Sequence, residues 1–482
     1  MPSTSHRAAT RTVLVAALTF ALGAFASARV HAQDATPAST APSATPATDT
    51  PPDTATESAR RDAALQVLDD MDGDRFDAVH ARFTPEMAAA ISAERLKQIW
   101  TSLPAQIGAP QGRGTPVSET HAGSTLVKIP LPYEKTELVA LIAFAPDGRI
   151  EGLYIKPKEV PHEAAPPVPA DAHYREIELT VGDAGSALPA TLTLPDGKGP
   201  FPAVVLVHGS GPQDRDESIG PNRPFMDIAR GLAERGIAVL RYEKRAKARP
   251  QDYANGVTID SETTDDAVRA LATLRAQPGI DAKRIFVLGH SQGGMLAPRI
   301  AGRDAHLAGL IMLAAPARPL LDILIEQNRR LAYLDDGRMS DEENLRIMRL
   351  VDAVKAVRAG RELSPEASPL GLPLAYWQSM EAVDPVAEAA KLDQPMLFLQ
   401  GARDIQVVDA DWQAWKSAFD GDPRATFKLY ESLNHFALPG EGEGSLQEYM
   451  TPGHVLPELI ADVAHWIAQT GKPAARQAKR AK

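Results

Sequence analysis

A serine hydroxyl is a poor nucleophile until the backbone holds it clear of its own helix and beside a base. The chain carries such a serine in Gly289-His290-Ser291-Gln292-Gly293, directly after the run Arg284-Ile285-Phe286-Val287-Leu288. This is G-x-S-x-G at the end of a buried strand, with Met295-Leu296-Ala297 opening a helix behind it. A strand-to-helix elbow of this kind holds the serine in a strained turn, and glycines two residues before and after it leave room for the tight crossing. The chemistry on offer is attack of the serine oxygen on a carbonyl carbon. A plain glycine-rich turn fits the five residues equally; the apolar runs on both sides favour the elbow. Pro298 removes a helix donor and predicts a kink near the first turns.

The serine needs a base, and the base needs an orienting carboxylate; on an elbow of this type the acid precedes the histidine. Downstream of Ser291 stand Gln400-Gly401-Ala402-Arg403-Asp404, after an apolar strand, and Leu433-Asn434-His435-Phe436, after the next one. Both lie where strands end, the edge at which open sheets of parallel strands build their sites. The assignment is Ser291 as nucleophile, His435 as general base and acid, and Asp404 as orienter of the imidazole. Asp409 and Asp411 are rival acids. His454 is the rival histidine, set aside because it opens a helix, and His465 sits within a helical stretch. The developing oxyanion calls for fixed N–H donors, one from Gln292 and one from the turn His208-Gly209-Ser210-Gly211-Pro212. Ser210 is the preferred second donor and Gly211 the alternative. Two polar runs, Gln213-Asp214-Arg215-Asp216-Glu217 and Arg241-Tyr242-Glu243-Lys244-Arg245, fall at the same edge. Mutual pairing is the favoured reading, with capture of a substrate carboxylate by Arg241 or Arg245 as the other.

The elements that must position these residues alternate from residue 173 onward. Strands are expected at Tyr174–Val181, Ala187–Leu194, Ala203–His208, Ile237–Tyr242, Arg284–Gly289, Gly309–Ala314, Met396–Gln400 and Thr426–Tyr430. Helices are expected at Pro224–Arg235, Glu262–Ala276, Gln292–Arg303, Ala410–Phe419 and Val455–Ala468. The first two strands lack a helix between them and predict an antiparallel hairpin; the rest predict a mostly parallel sheet covered on both faces. The charged helical segment Leu320–Arg358 and the Ala375-Tyr376-Trp377 run interrupt the alternation, so 316–392 is expected to form a lid. Tyr376 and Trp377 are candidates for an apolar substrate pocket.

Upstream, residues 60–158 read as a small α+β domain. Ala63-Ala64-Leu65, Val67-Leu68 and Met71 recur at helical spacing, Ile91, Leu96, Ile99 and Trp100 suggest a further helix, and strand runs follow at Leu126–Leu131, Leu138–Phe144 and Ile150–Ile155. Pro146-Asp147-Gly148 is a turn signal between the last two. Residues 159–172 are a second linker, with four prolines from Val160 to Asp171. Residues 33–59, rich in Ala, Pro, Thr and Ser, read as a disordered linker and 473–482 as a basic tail. Residues 1–32 read as an export signal: His6, Arg7 and Arg11, then the uncharged stretch Val13–Ala26, then small residues allowing cleavage after Ala28 or Ala32. The stretch is short for a membrane span, which needs about 20 residues, so no stable span is expected after cleavage. An uncleaved anchor is the minority reading.

Composition removes several classes. There is no cysteine, which excludes a disulfide framework, a thiol nucleophile and a thiolate-bound metal. The net charge is −11, without a basic stripe in the body of the chain, so nucleic-acid binding is not expected. No H-E-x-x-H, phosphate loop or dinucleotide fingerprint occurs, so neither a metal nor a cofactor is expected.

On His208 to Pro212, Arg241 to Arg245, Gly289 to Gly294, Gln400 to Asp404 and Leu433 to His435, the segment 173–472 resembles the α/β-hydrolase superfamily, and within it exported bacterial esterases, dienelactone-hydrolase-like enzymes and serine aminopeptidase-like proteins. Glu243 departs from the Asp expected in its run. The stretch Arg60–Pro157 is similar to a small domain of unknown function found ahead of such hydrolases, which implies a cone-like fold of the cystatin or nuclear-transport-factor type. The expectation is an exported serine hydrolase, periplasmic or secreted, cleaving carboxylic esters of small molecules through an acyl-enzyme. An exo-peptidase or amidase acting on short peptides is the nearest alternative. A non-catalytic cell-envelope binding protein on a hydrolase scaffold is the alternative of another class. The partner of the first domain is unknown.

Overall fold

The computed structural model describes residues 54–470, apart from 122–123, 135, 159–164, 254–255 and 366. The expected signal segment, the linker up to residue 53 and the basic tail lie outside them. The described chain divides into two compact units, one before residues 159–164 and one after.

The first unit opens with four helices, Thr54–Asp72, Phe76–His80, Pro85–Ala90 and Ala93–Ile107. Its sheet is an antiparallel meander of β1 (Val117–His121), β2 (Ser124–Pro132), β3 (Glu137–Phe144) and β4 (Ile150–Pro157), in that order. Burial alternates strictly along β2 and β3, as a sheet with one covered face requires. Val127, Ile129, Ala140 and Ile142 face Ala64, Val67 and Leu68 of the first helix in one core. That helix starts at Thr54, earlier than the linker boundary expected at 59, because Thr, Glu and Ala continue a helix once its next turns are packed. The two short helices and β1 escape a reading by periodicity because none completes enough turns or alternations to show one.

The second unit is built on one eight-stranded sheet. Its strands are β5 (Tyr174–Val181), β6 (Leu188–Pro195), β7 (Phe201–Val207), β8 (Ala238–Tyr242), β9 (Ile280–His290), β10 (Gly309–Leu313), β11 (Met396–Gly401) and β12 (Ala425–Tyr430). The spatial order is β12-β11-β10-β9-β7-β8-β6-β5. β5 and β6 form the expected antiparallel hairpin, β6 also pairs antiparallel with β8, and the remaining pairings are parallel. Central strands read as unbroken apolar runs because both faces are covered. Val204, Leu206, Phe286 and Leu288 meet Phe225, Leu232, Leu459 and Val463 of helices Pro224–Ala233 and Pro457–Gln469. Val205, Val207 and Val287 meet Leu271, Leu274, Met295 and Leu296 of helices Asp265–Arg275 and Gln292–Arg303 on the other face.

Helix Gln292–Arg303 continues through Pro298. Burial of Met295, Leu296, Ala297, Ile300 and Ala301 against the sheet outweighs the one lost backbone hydrogen bond. Between β10 and β11 the chain forms helices Leu320–Asp336, Asp341–Arg358, Leu374–Glu381 and Pro385–Ala390. They dock onto the sheet through Leu321, Val354, Val357, Tyr376, Trp377 and Met380. No helix among the described residues is long and apolar enough to cross a membrane.

Candidate active site

At the end of β9 the backbone turns into helix Gln292–Arg303 through Ser291, which holds φ 52° and ψ −120°. Such a conformation costs a non-glycine residue about 1–3 kcal/mol. Neighbouring bonds hold it: the Ser291 N–H donates to the Leu313 carbonyl of β10 at 2.9 Å, and its carbonyl accepts from Met295 N at 2.9 Å. The motif glycines are steric necessities. A Cβ on Gly289 would meet the Gly293 carbonyl oxygen at 2.1 Å, and one on Gly293 would meet the Val207 oxygen at 2.2 Å. The helix therefore starts against the buried carboxyl end of β7, and only glycine allows it so close.

Asp404 and His435 come from the loops after β11 and β12. His435 Nδ1 lies 2.8 Å from Asp404 Oδ2, with the residues 3% and 6% exposed. The carboxylate is itself fixed. Its Oδ1 accepts from the backbone N–H of Gln406 at 2.8 Å and of Val407 at 3.0 Å, and its Oδ2 from Gln400 Nε2 at 3.2 Å. The His435 loop crosses closely over β11, where a Cβ on Gly401 would meet the Leu433 oxygen at 2.2 Å. The carbonyl of His435 accepts from Nε2 of His290, the residue before Ser291, at 2.9 Å. This bond ties the histidine loop to the elbow. Ser291 and His435 are thus neighbours through His290, but among the described residues no hydrogen bond joins their side chains.

Ser210 lies exposed in the turn after β7, and Gln292 opens the helix behind Ser291. Ser210, Gly211, Gln292, Tyr376 and Trp377 line one small cavity of about 30 Å³, together with Glu262 and apolar side chains such as Leu372. Tyr376 and Trp377 are buried: the Tyr376 hydroxyl accepts from Gln292 Nε2 at 2.9 Å, and Trp377 Nε1 donates to the Pro369 carbonyl at 3.1 Å. Burial pushes the Tyr376 phenol well above its ordinary value, so it stays protonated.

The rivals fall elsewhere. Asp409 opens helix Asp409–Phe419 and takes Gln413 at 3.1 Å; Asp411 is buried against Arg318 at 2.7 Å. His454 precedes helix Pro457–Gln469 rather than opening it, and pairs with Asp227 at 3.2 Å. His465 is exposed. The polar runs pair with one another, Arg241 with Asp216 and Arg215 with Glu243 at 2.8 Å, while Arg245 meets Asp266 at 2.7 Å. Arg241 and Arg245 are buried in these pairs, which disfavours capture of a substrate carboxylate. Glu243 serves as the pairing acid.

Buried titratable groups around the site come from the two polar runs, the elbow, the turn after β7 and Glu262. Glu217 takes the Gly209 N–H at 2.6 Å and lies 2.9 Å from His290 Nδ1. Lys244 reaches the Gly209 carbonyl at 2.8 Å and Glu262 at 3.0 Å. Burial, the largest single influence, pulls His290 down, but the Glu217 charge and hydrogen bond, the His435 carbonyl and the Asp404 charge together hold the imidazole above its ordinary value. His208, packed on Phe225 and Tyr242, is pulled down by burial to about 4 and is neutral near pH 7.

Residues 200–442 match the family described as serine aminopeptidase, S33, and residues 64–153 match a protein of unknown function, DUF3887. The chain is 34% identical over 407 residues to esterase EstD of Thermotoga maritima, an alignment covering 84% of this chain and 95% of that one. Among solved structures it resembles an esterase of Pyrococcus furiosus (15% identity, TM-score 0.41, 64% of this chain and 96% of that one). It also resembles an esterase domain of Rhodothermus marinus (16% identity, TM-score 0.39, 61% and 99%). The family match and the extent of the relationship to the Thermotoga protein agree with the strand order and the elbow: the chain belongs to the S33 serine aminopeptidase family of α/β-hydrolases, and is a serine hydrolase with a DUF3887 domain at its front.

Proposed function

We propose that this protein is an exported esterase that cleaves carboxylic esters of small molecules through an acyl-enzyme. Ser291 Oγ attacks the ester carbonyl carbon while His435 Nε2 takes the hydroxyl proton. The N–H groups of Gln292 and Ser210 bind the oxyanion. Collapse of the tetrahedral intermediate breaks the carbon–oxygen bond to the alcohol, which leaves with the proton from His435. Water then repeats the cycle, with His435 again as base, and frees the acid. Asp404 holds the imidazole in the tautomer that leaves Nε2 able to accept. The observation that carries the reading is the Asp404–His435 pair at 2.8 Å, bound to the elbow through the His290 contact to the His435 carbonyl. Ser291 Oγ must still close on Nε2 when substrate binds, and such contacts commonly tighten in the complex. Tyr376 and Trp377 would form the wall against the acyl group.

The description of the matched family favours a second reading, cleavage of an aminoacyl amide. An exo-peptidase that holds a free amino terminus needs an acidic group at the pocket. Glu262 is the carboxylate at this cavity, and Lys244 occupies it at 3.0 Å. That, with the esterase named above, supports the ester. A fluorophosphonate probe should label the wild type and not Ser291→Ala; absence of labelling would support a non-catalytic envelope protein. Turnover of aminoacyl p-nitroanilides without p-nitrophenyl acyl esters would replace the ester reading by the amide one. Export rests on residues 1–32, and a periplasmic or secreted protein whose N-terminus follows Ala28 or Ala32 is the expected result.

A further inference from the structure

We propose that Lys244 is the positioning residue of the oxyanion loop: its buried ammonium holds the Gly209–Ser210 peptide so that the Ser210 N–H is turned toward the nucleophile. This rests on the ester-hydrolase reading above and adds to it a residue that touches neither substrate nor the reacting atoms.

Lys244 follows β8 and is 2% exposed. Lysine is almost never buried so completely unless paired. An ammonium has three protons to give, and here three acceptors surround it: the Gly209 carbonyl at 2.8 Å, Glu262 Oε1 at 3.0 Å and Gln292 Oε1 at 3.3 Å. Two of the three belong to the elements that supply the oxyanion donors. A trans peptide points its carbonyl and the following N–H in opposite directions. Fixing the Gly209 carbonyl on the ammonium therefore turns the Ser210 N–H away from it. The peptide borders the nucleophile, since a Cβ on Gly209 would lie 3.3 Å from Ser291 Cβ.

A Cβ at Gly209 would be crowded at that approach, but glycine also leaves the peptide free to rotate. Charge removes the freedom from both sides. Glu217 takes the Gly209 N–H at 2.6 Å, and Lys244 takes its carbonyl. The ammonium charge is balanced by Glu262, so its contribution is orientation rather than a net field at the oxyanion. The bonds close into a ring through the lid helix. Gln292 Nε2 donates to the Tyr376 hydroxyl at 2.9 Å, and that hydroxyl donates to Glu262 Oε2 at 3.3 Å. Lys244, Gln292, Tyr376 and Glu262 thus set the two donor segments against each other and against the lid.

The test compares a carboxylic ester with the thionoester of the same acyl group, because an oxyanion hole built for oxygen supports a developing sulfur anion poorly. A variant with a misplaced donor loses more on the ester than on the thionoester. Lys244→Met is expected to lower kcat on the ester about 100-fold, with little change in KM, and to shrink the ester-to-thionoester kcat ratio about tenfold. Thermal unfolding checks that the protein is folded. Lys244→Gln, neutral and one bond too short to reach the Gly209 carbonyl, is the second variant and should shift the ratio in the same direction. An unchanged ratio in folded protein would assign Lys244 to packing alone and overturn the proposal, as would failure of both variants to fold. If the wild type neither takes the fluorophosphonate probe nor turns over esters, the hydrolase reading falls and this inference with it. Ester turnover by the wild type with an unchanged ratio in the variants sinks the inference alone.

Discussion

Two histidine–carboxylate pairs lie side by side at the carboxyl edge of the large sheet, with imidazole centroids 4.7 Å apart. Asp404 holds Nδ1 of His435 at 2.8 Å, and Glu217 lies 2.9 Å from Nδ1 of His290. All four side chains are buried. The far nitrogens differ. His290 spends Nε2 on the backbone carbonyl of His435, whereas among the described residues no hydrogen bond occupies Nε2 of His435. The same chemical unit therefore serves once as a strut and once with a ring nitrogen left for a proton. A carboxylate against an imidazole does not by itself mark a catalytic base; what stands opposite the other nitrogen decides.

The contrast can be broken by substitution. Under the proposed assignment, His435→Ala removes the base, and kcat on p-nitrophenyl esters should fall by about 10⁶-fold. A loss of similar size in folded His290→Ala would erase the distinction between the two rings. Asp404→Asn keeps the shape but disturbs the tautomer, with an expected loss of about 10⁴-fold in kcat. Retention of most activity would move the orienting role to another acid. His290→Leu should act on stability instead: it leaves the Glu217 carboxylate buried without its counterpart, at a cost of about 3–5 kcal/mol in denaturant unfolding. A cost under about 1 kcal/mol would mean that the second pair carries no charge worth compensating.

The smallest expected effect concerns pH. His208 has a folded pKa of about 4 against an ordinary 6.5, so the folded state binds fewer protons between those values. Its contribution is present above 6.5 and is lost as pH falls toward 4, by about 3 kcal/mol. His290 has the opposite sign, because its folded value is raised above 6.5. Its contribution is complete below 6.5 and is lost as pH rises through the folded value. Stability from these two groups should peak near 6.5. His208→Leu should flatten the acid side of the unfolding curve and leave the alkaline side as it was; an unchanged acid slope would contradict the burial of a neutral ring.

The large sheet was readable because a strand buried on both faces leaves an unbroken apolar run, as in Ala203–Val207 and Ile285–Leu288. The eight strands were expected close to their observed bounds, except that β9 begins at Ile280, four residues before the expected Arg284. In the first unit the strict alternation of β2 and β3 was equally plain, while β1, Val-Ser-Glu-Thr-His, carries no such pattern and joins the sheet only by pairing with β2. At the site, Ser291, Asp404 and His435 could be singled out as candidates because each follows a strand whose end is marked by glycine or by the loss of apolar residues. Glu217 and Lys244 could not be told from ordinary surface charges, since a polar run looks the same in sequence whether it is solvated or folded inward.

What the chain determined unaided is local: elbow glycines that clash if given a side chain, periodicities that choose strand or helix, and an order of motifs that puts acid before histidine. What only the tertiary structure decided is which of the many charged side chains are buried, and on what. Burial raises the cost of an unmatched charge from nearly nothing to several kcal/mol. Contacts such as Lys244 on the Gly209 carbonyl or Glu217 on His290 therefore acquire their meaning only when residues far apart in the chain have excluded the water between them.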